Sequence, residues 1–89
     1  MGHSEEEITK KVRRLHLDLA LDRGPDKTYC PSEVAKLYAP NDWSKHMSLI
    51  RTVAYDLSKE GKLEVLQKGK LLCQKATEVR GPIRLRIKK

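Results

Sequence analysis

The chain has 89 residues, 38% hydrophobic and 35% charged, which leaves room for one domain with one modest core, near the lower limit at which burial outweighs chain entropy. No run approaches the roughly 18 apolar residues that a membrane span needs, and the first residues lack the apolar core of a secretory signal, so an intracellular protein without membrane contact is expected. The net charge of +7 is unevenly held: residues 1–61 carry ten Lys/Arg and ten Asp/Glu, residues 62–89 nine against two.

Gly2-His3-Ser4 reads as a cloning remnant, so residues 1–4 are set aside as that or as a flexible N-terminus, and residues 5–89 as a single domain. Ser4 with Glu7 forms a capping box, and Ile8, Val12, Leu15 and Leu19 recur at helical spacing until Gly24-Pro25, which predicts a first helix over 5–22. Leu17 and Leu21 fall off that stripe, so the helix is either embedded on two sides, the preferred reading, or exposes a small apolar patch. Thr28-Tyr29-Cys30 is a brief β-prone stretch. Pro31 suits the first turn of a second helix over 31–38, which buries Val34 and Ala35, with Leu37 and Tyr38 as further candidates, and stops before Pro40.

Asn41 or Asp42 can cap a third helix over 42–60, ended by Gly61, whose apolar stripe is Trp43, Met47, Ile50, Ala54 and Leu57. Beyond Gly61 the period falls from 3.6 to 2. Leu63 and Val65 alternate with Glu64 and Leu66, Gln67-Lys68-Gly69-Lys70 supplies a bend, and Ile83, Leu85 and Ile87 oppose Arg84, Arg86 and Lys88. Leu71-Leu72-Cys73 either extends the first strand or pairs back on it. This order predicts an α+β fold, a winged helix-turn-helix of three helices on a small antiparallel β-hairpin sheet, with the wing over about 62–87 and a basic tail at 88–89.

Cys30-Pro31-Ser32-Glu33-Val34-Ala35, then Asp42-Trp43 with Met47 and Arg51, then Gly61 and Gln67-Lys68-Gly69, and finally Arg80-Gly81-Pro82-Ile83-Arg84-Leu85-Arg86, together resemble the small winged-helix proteins of domain of unknown function 3253, over roughly residues 8 to 87. That resemblance implies a fold and no activity, so it assigns no site residues.

The pattern argues against chemistry. His3, His16, His46, Cys30 and Cys73 lack paired metal-ligand spacing, and the two cysteines are expected as reduced thiols. Cys30, His46 and Asp42 could be assembled into a nucleophile, base and orienting group, but so small a chain encloses no substrate cleft, and no phosphate-binding glycine loop occurs. Neither an enzyme nor a cofactor is expected. Trp43, which could stack on a base, lies on the apolar stripe and reads as core.

A clustered positive field favours a polyanion. The candidate contacts on the third helix are Lys45, Ser48, Arg51, Thr52 and Tyr55, although Lys45, Arg51 and Lys59 are balanced there by Asp42, Asp56 and Glu60. On the wing and last strand they are Lys68, Lys70, Arg80, Arg84, Arg86 and Lys88, whose bland reading is a solvated strand face. With no Phe and 4% aromatic residues, stacking platforms are scarce, so duplex DNA is expected over single strands, in the cytoplasm on a nucleoid or in a nucleus. The rival reading is a module that docks an acidic protein through the same strand, and a more distant one is an accessory subunit of an RNA-processing or ribosomal assembly. A monomer is expected, because the apolar surplus is too small for a stable interface.

Overall fold

The computed structural model describes residues 5–72 and 81–88. Helices α1 (Glu5–Arg23), α2 (Pro31–Tyr38) and α3 (Met47–Lys59) are followed by strands β1 (Leu63–Gln67), β2 (Lys70–Leu71) and β3 (Arg84–Ile87), a winged-helix-like α+β arrangement. The Ser4 cap lies outside the described residues.

In α1 the fully buried positions are Val12, His16 and Ala20, spaced four apart, while Leu15, Leu17 and Leu19 flank them half-buried. The inner seam therefore contains a histidine that no apolar count would select. Leu17 packs against the core, whereas Leu21 is 67% exposed, so the two residues off the predicted stripe have different fates. Gly24, at φ 82°, closes the helix with its N–H on the Ala20 carbonyl at 2.9 Å.

Pro31 opens α2 as its chemistry suggests, and the Glu33 carboxylate reaches back to accept the Cys30 N–H at 2.8 Å. Pro31, Val34, Ala35 and half-buried Tyr38 share one sector of the helix. Leu37 lies off that sector and is 58% exposed, which corrects its assignment to the core.

The third helix is not continuous from residue 42. Trp43–His46 form a 3₁₀ turn, with the Lys45 N–H on the Asp42 carbonyl at 3.1 Å, and the α-helix proper begins at Met47. Side chains of that turn rest on α2: Lys36 lies 4.9 Å over the Trp43 ring and His46 meets Tyr38 edge-on at 5.1 Å. Trp43 is thereby a half-buried rim residue and not the core's centre. The centre on α3 is Ile50, Val53, Ala54 and Leu57.

Gly61, at φ 78°, ends the helical run, and β1 turns its Leu63 and Val65 inward. Lys68 and Gly69, at φ 53° and 80°, are both left-handed, as a two-residue primed hairpin turn requires. Leu71 accordingly pairs back on Leu66. β3 joins the other edge of β1, with Leu63 opposite Ile87 and Glu64 opposite Arg86, giving the order β2-β1-β3. Tyr29 then bridges Leu85 through two backbone hydrogen bonds of 2.8 Å, so the sheet is wider than the single hairpin expected.

One polar clamp crosses the core where α1, α3 and the Tyr29 bridge meet. His16 is fully buried, with Nε2 3.0 Å from the Ile50 carbonyl and Nδ1 2.9 Å from the Tyr29 hydroxyl. A carbonyl oxygen only accepts, so Nε2 carries the proton and Nδ1 accepts from Tyr29. Burial, partly offset by the Ile50 carbonyl, lowers the His16 pKa to about 4, and burial pushes the Tyr29 hydroxyl above its ordinary value.

Candidate functional site

The outward face of α3 is shorter than the helix. Lys45, on the 3₁₀ turn, and Ser48, in the first turn of α3, are exposed, and Arg51 and Thr52 are half-buried. The Thr52 hydroxyl donates to the Ser48 carbonyl at 2.9 Å, which leaves its oxygen free only to accept. Tyr55 shares the helical phase of Ser48 and Thr52 but is 4% exposed, so its ring cannot reach a base edge. Helix phase sets direction and not how far neighbouring structure extends over a face, and for this reason Tyr55, expected among the contacts, lies beneath the exposed face. Lys45, Ser48, Arg51 and Thr52 remain together around the N-terminal half of α3.

At the sheet end, Lys68 in the β1–β2 turn and Lys70 just after it are exposed, as are Arg84 and Lys88. Arg80 lies outside the described residues. Arg86 does not stand free: its Nε donates to Glu64 Oε1 at 2.9 Å and an Nη lies 2.7 Å from the same oxygen in an ion pair, across the β1–β3 pair. Arg84, Arg86 and Lys88 have no acid between them along the strand, but Glu64 meets Arg86 across it, and Arg86 contributes little net field. Arg84 is held differently. Its Nε donates to Thr28 Oγ1 at 3.0 Å and an Nη to the Thr28 carbonyl at 3.3 Å, with no charge neutralised.

Two grooves flank this strand. One, about 310 Å³, mixes signs, with Asp26 and Glu64 facing Arg86 and Lys88 beside Pro25. The other, about 550 Å³, is lined among the described residues by Gln67, Lys68, Gly81, Pro82 and Arg84, two cations with no acid.

Other arginines are structural. Arg13 makes a two-pronged pair with Glu60 at 2.5 and 2.8 Å, tying α1 to the end of α3, and holds the Glu60 carboxyl below the usual carboxylate range. Arg23 pairs with Glu33. Burial pushes the Glu33 carboxyl up, but the Cys30 N–H, Arg23 and the nearby Arg84 outweigh it and hold the group below its ordinary value. The sequence reading missed Thr28, Glu64 and Glu33 as partners of these cations. Only the Glu64–Arg86 pair left a signal, since antiparallel pairing of the two alternating stretches brings opposite charges face to face.

Among the described residues no group of three or more His, Cys, Asp and Glu is disposed to hold a metal ion, and no helix is long and apolar enough to cross a membrane. No curated protein matches the chain at a significant level. A family model does match, over residues 9–88, and it is described only as a protein of unknown function. The match takes in all three helices and all three strands apart from the first residues of α1. On that coverage the chain belongs to the DUF3253 family.

Proposed function

We propose that this protein binds double-stranded DNA, with the N-terminal half of α3 toward the major groove and the sheet end on the phosphate backbone. The observation that carries the reading is the exposed trio Lys45, Lys68 and Lys70, none of which makes an ion pair with a described residue, on a fold whose whole charge excess follows residue 61. Such cations suit phosphate, which positions a duplex without specifying sequence. Lys45, Ser48, Arg51 and Thr52 supply the short polar face that base-edge contacts need. The protein acts by binding, as a monomer, without catalysis or a cofactor, in whichever compartment holds the DNA.

Fluorescence anisotropy with a random duplex across a salt range tests this. Affinity should fall steeply with salt, the log–log slope counting about 0.9 per neutralised phosphate. Changing Lys45, Ser48, Arg51 or Thr52 to Ala should alter preference among sequences, with about 1 to 3 kcal/mol for a good bidentate contact. Absence of duplex binding even at low ionic strength would sink the proposal and leave an acidic protein as the partner to seek.

A further inference from the structure

We infer that the groove between Lys68 and Arg84 seats the sugar–phosphate backbone of one DNA strand, and that Thr28 is the residue that aims Arg84 into that contact; the inference rests on the duplex-binding reading above. Between these two cations the described lining is Gly81-Pro82 and Gln67, whose side-chain amide donates to the Pro82 carbonyl at 3.5 Å. Gly81 sits at φ 90°, a conformation that disfavours ordinary side chains, so the lining carries no Cβ there. Backbone can thus approach backbone closely.

The two cations are fixed by different means. Lys68 is turned outward by its left-handed position in the hairpin turn. Arg84 presents one edge of its guanidinium, Nε and an Nη, to Thr28. Of its five N–H groups that uses two, and the end-on fork, one N–H from each terminal nitrogen, stays available for two phosphate oxygens. Glu33 lies near enough to feel Arg84, but its carboxylate is already held by Arg23 and the Cys30 N–H.

The lining selects the ligand. Among the described residues it offers no aromatic face, so unstacked bases gain nothing there. Its volume of about 550 Å³ is many times that of an inorganic phosphate, and it suits a stretch of sugar and phosphate better than a single small anion. Among the described residues its lining holds no acid, with Glu33 near Arg84 but already held by Arg23 and the Cys30 N–H, unlike the mixed groove beside Arg86 and Lys88.

The test compares wild type with K68Q, R84Q and T28V in anisotropy titrations of one duplex at several salt concentrations, circular dichroism melting serving as the fold control. K68Q and R84Q should each weaken binding about tenfold and lower the salt slope by about 0.9, as the loss of a single phosphate contact does. T28V keeps the charge of Arg84 and removes its Oγ1 anchor. It should weaken binding several-fold with the slope unchanged, and add nothing once Arg84 is already Gln. Inorganic phosphate at constant ionic strength should not displace the duplex. If wild type binds duplex and K68Q and R84Q leave affinity and slope unaltered, the groove assignment is wrong while the duplex reading stands; if wild type does not bind, both fall. Displacement by phosphate would make the groove a small-anion site and overturn the assignment, and a T28V protein that binds as wild type does would remove Thr28 from it.

Discussion

In the helical half, Arg13 grips Glu60 and Arg23 grips Glu33, so long cationic side chains are spent on fastening α1 to α3 and to α2. At the sheet end the lysines behave otherwise: Lys68, Lys70 and Lys88 project without an ion-pair partner among the described residues. The contrast follows residue type as well as region. Each described arginine is engaged, Arg14 with Asp18, Arg84 with Thr28, Arg86 with Glu64 and Arg51 with a partner of its own, because a planar fork with five donors satisfies fixed acceptors that a single ammonium does not. A net charge summed along the sequence counts both kinds equally. Only those without an acid beside them, the free lysines and Arg84 on the neutral Thr28, keep their full field.

The contrast between a fastened interior and an open basic end can be broken most forcefully in the core. Ile50→Ala and Leu57→Ala should each cost about 2 to 5 kcal/mol in urea unfolding, the usual range for emptying a fully buried site, and Trp43→Ala, from the half-buried rim, should cost less than either. Equal losses at Trp43 and Ile50 would return Trp43 to the centre.

The second test is acid. His16 is neutral when buried, with a folded pKa near 4 against about 6.5 unfolded, so the unfolded chain binds its proton first as pH falls. The stability this group contributes is fully present above about pH 6.5 and is lost progressively down to about pH 4, roughly 3 kcal/mol in all. Glu33 and Glu60, whose folded pKa values are depressed, contribute stability present above the ordinary carboxylate range and lost below it. The interval between about pH 6.5 and 4.5 therefore isolates the histidine. A urea midpoint that stays flat across it would contradict the clamp.

The smallest expected effect sharpens the basic end. Glu64→Gln releases Arg86 from the carboxylate that neutralises it, at a stability cost within the roughly 0 to 1 kcal/mol typical of surface pairs. Duplex affinity should rise a few-fold and the salt slope should steepen. Unchanged affinity would mean that Arg86 faces away from the ligand.

Much of the architecture was legible because local rules are strong. Gly24, Pro31, Gly61 and Lys68-Gly69 each act through their own backbone geometry, so helix ends and the hairpin turn could be read one residue at a time. The basic face was legible only as composition. Which cations remain available depended on Glu64 standing opposite Arg86 and on Thr28 meeting Arg84, contacts between residues 22 and 56 positions apart. Tyr55 and Leu37 show the same limit for burial: helical phase gives a direction, and the extent of cover belongs to the neighbouring elements.

By itself, then, the sequence determined the order of helices and strands, the turn chemistry and the concentration of positive charge after residue 61, since these depend on side-chain type, periodicity and φ preference close along the chain. Tertiary structure alone decided that a histidine completes the core, that Tyr29 adds a bridge to the sheet, that Arg86 is neutralised and that Arg84 is anchored on Thr28. The physical reason is distance: hydrogen bonds and ion pairs act over about 3 Å in space, and no periodicity along the chain encodes which distant residue will stand there.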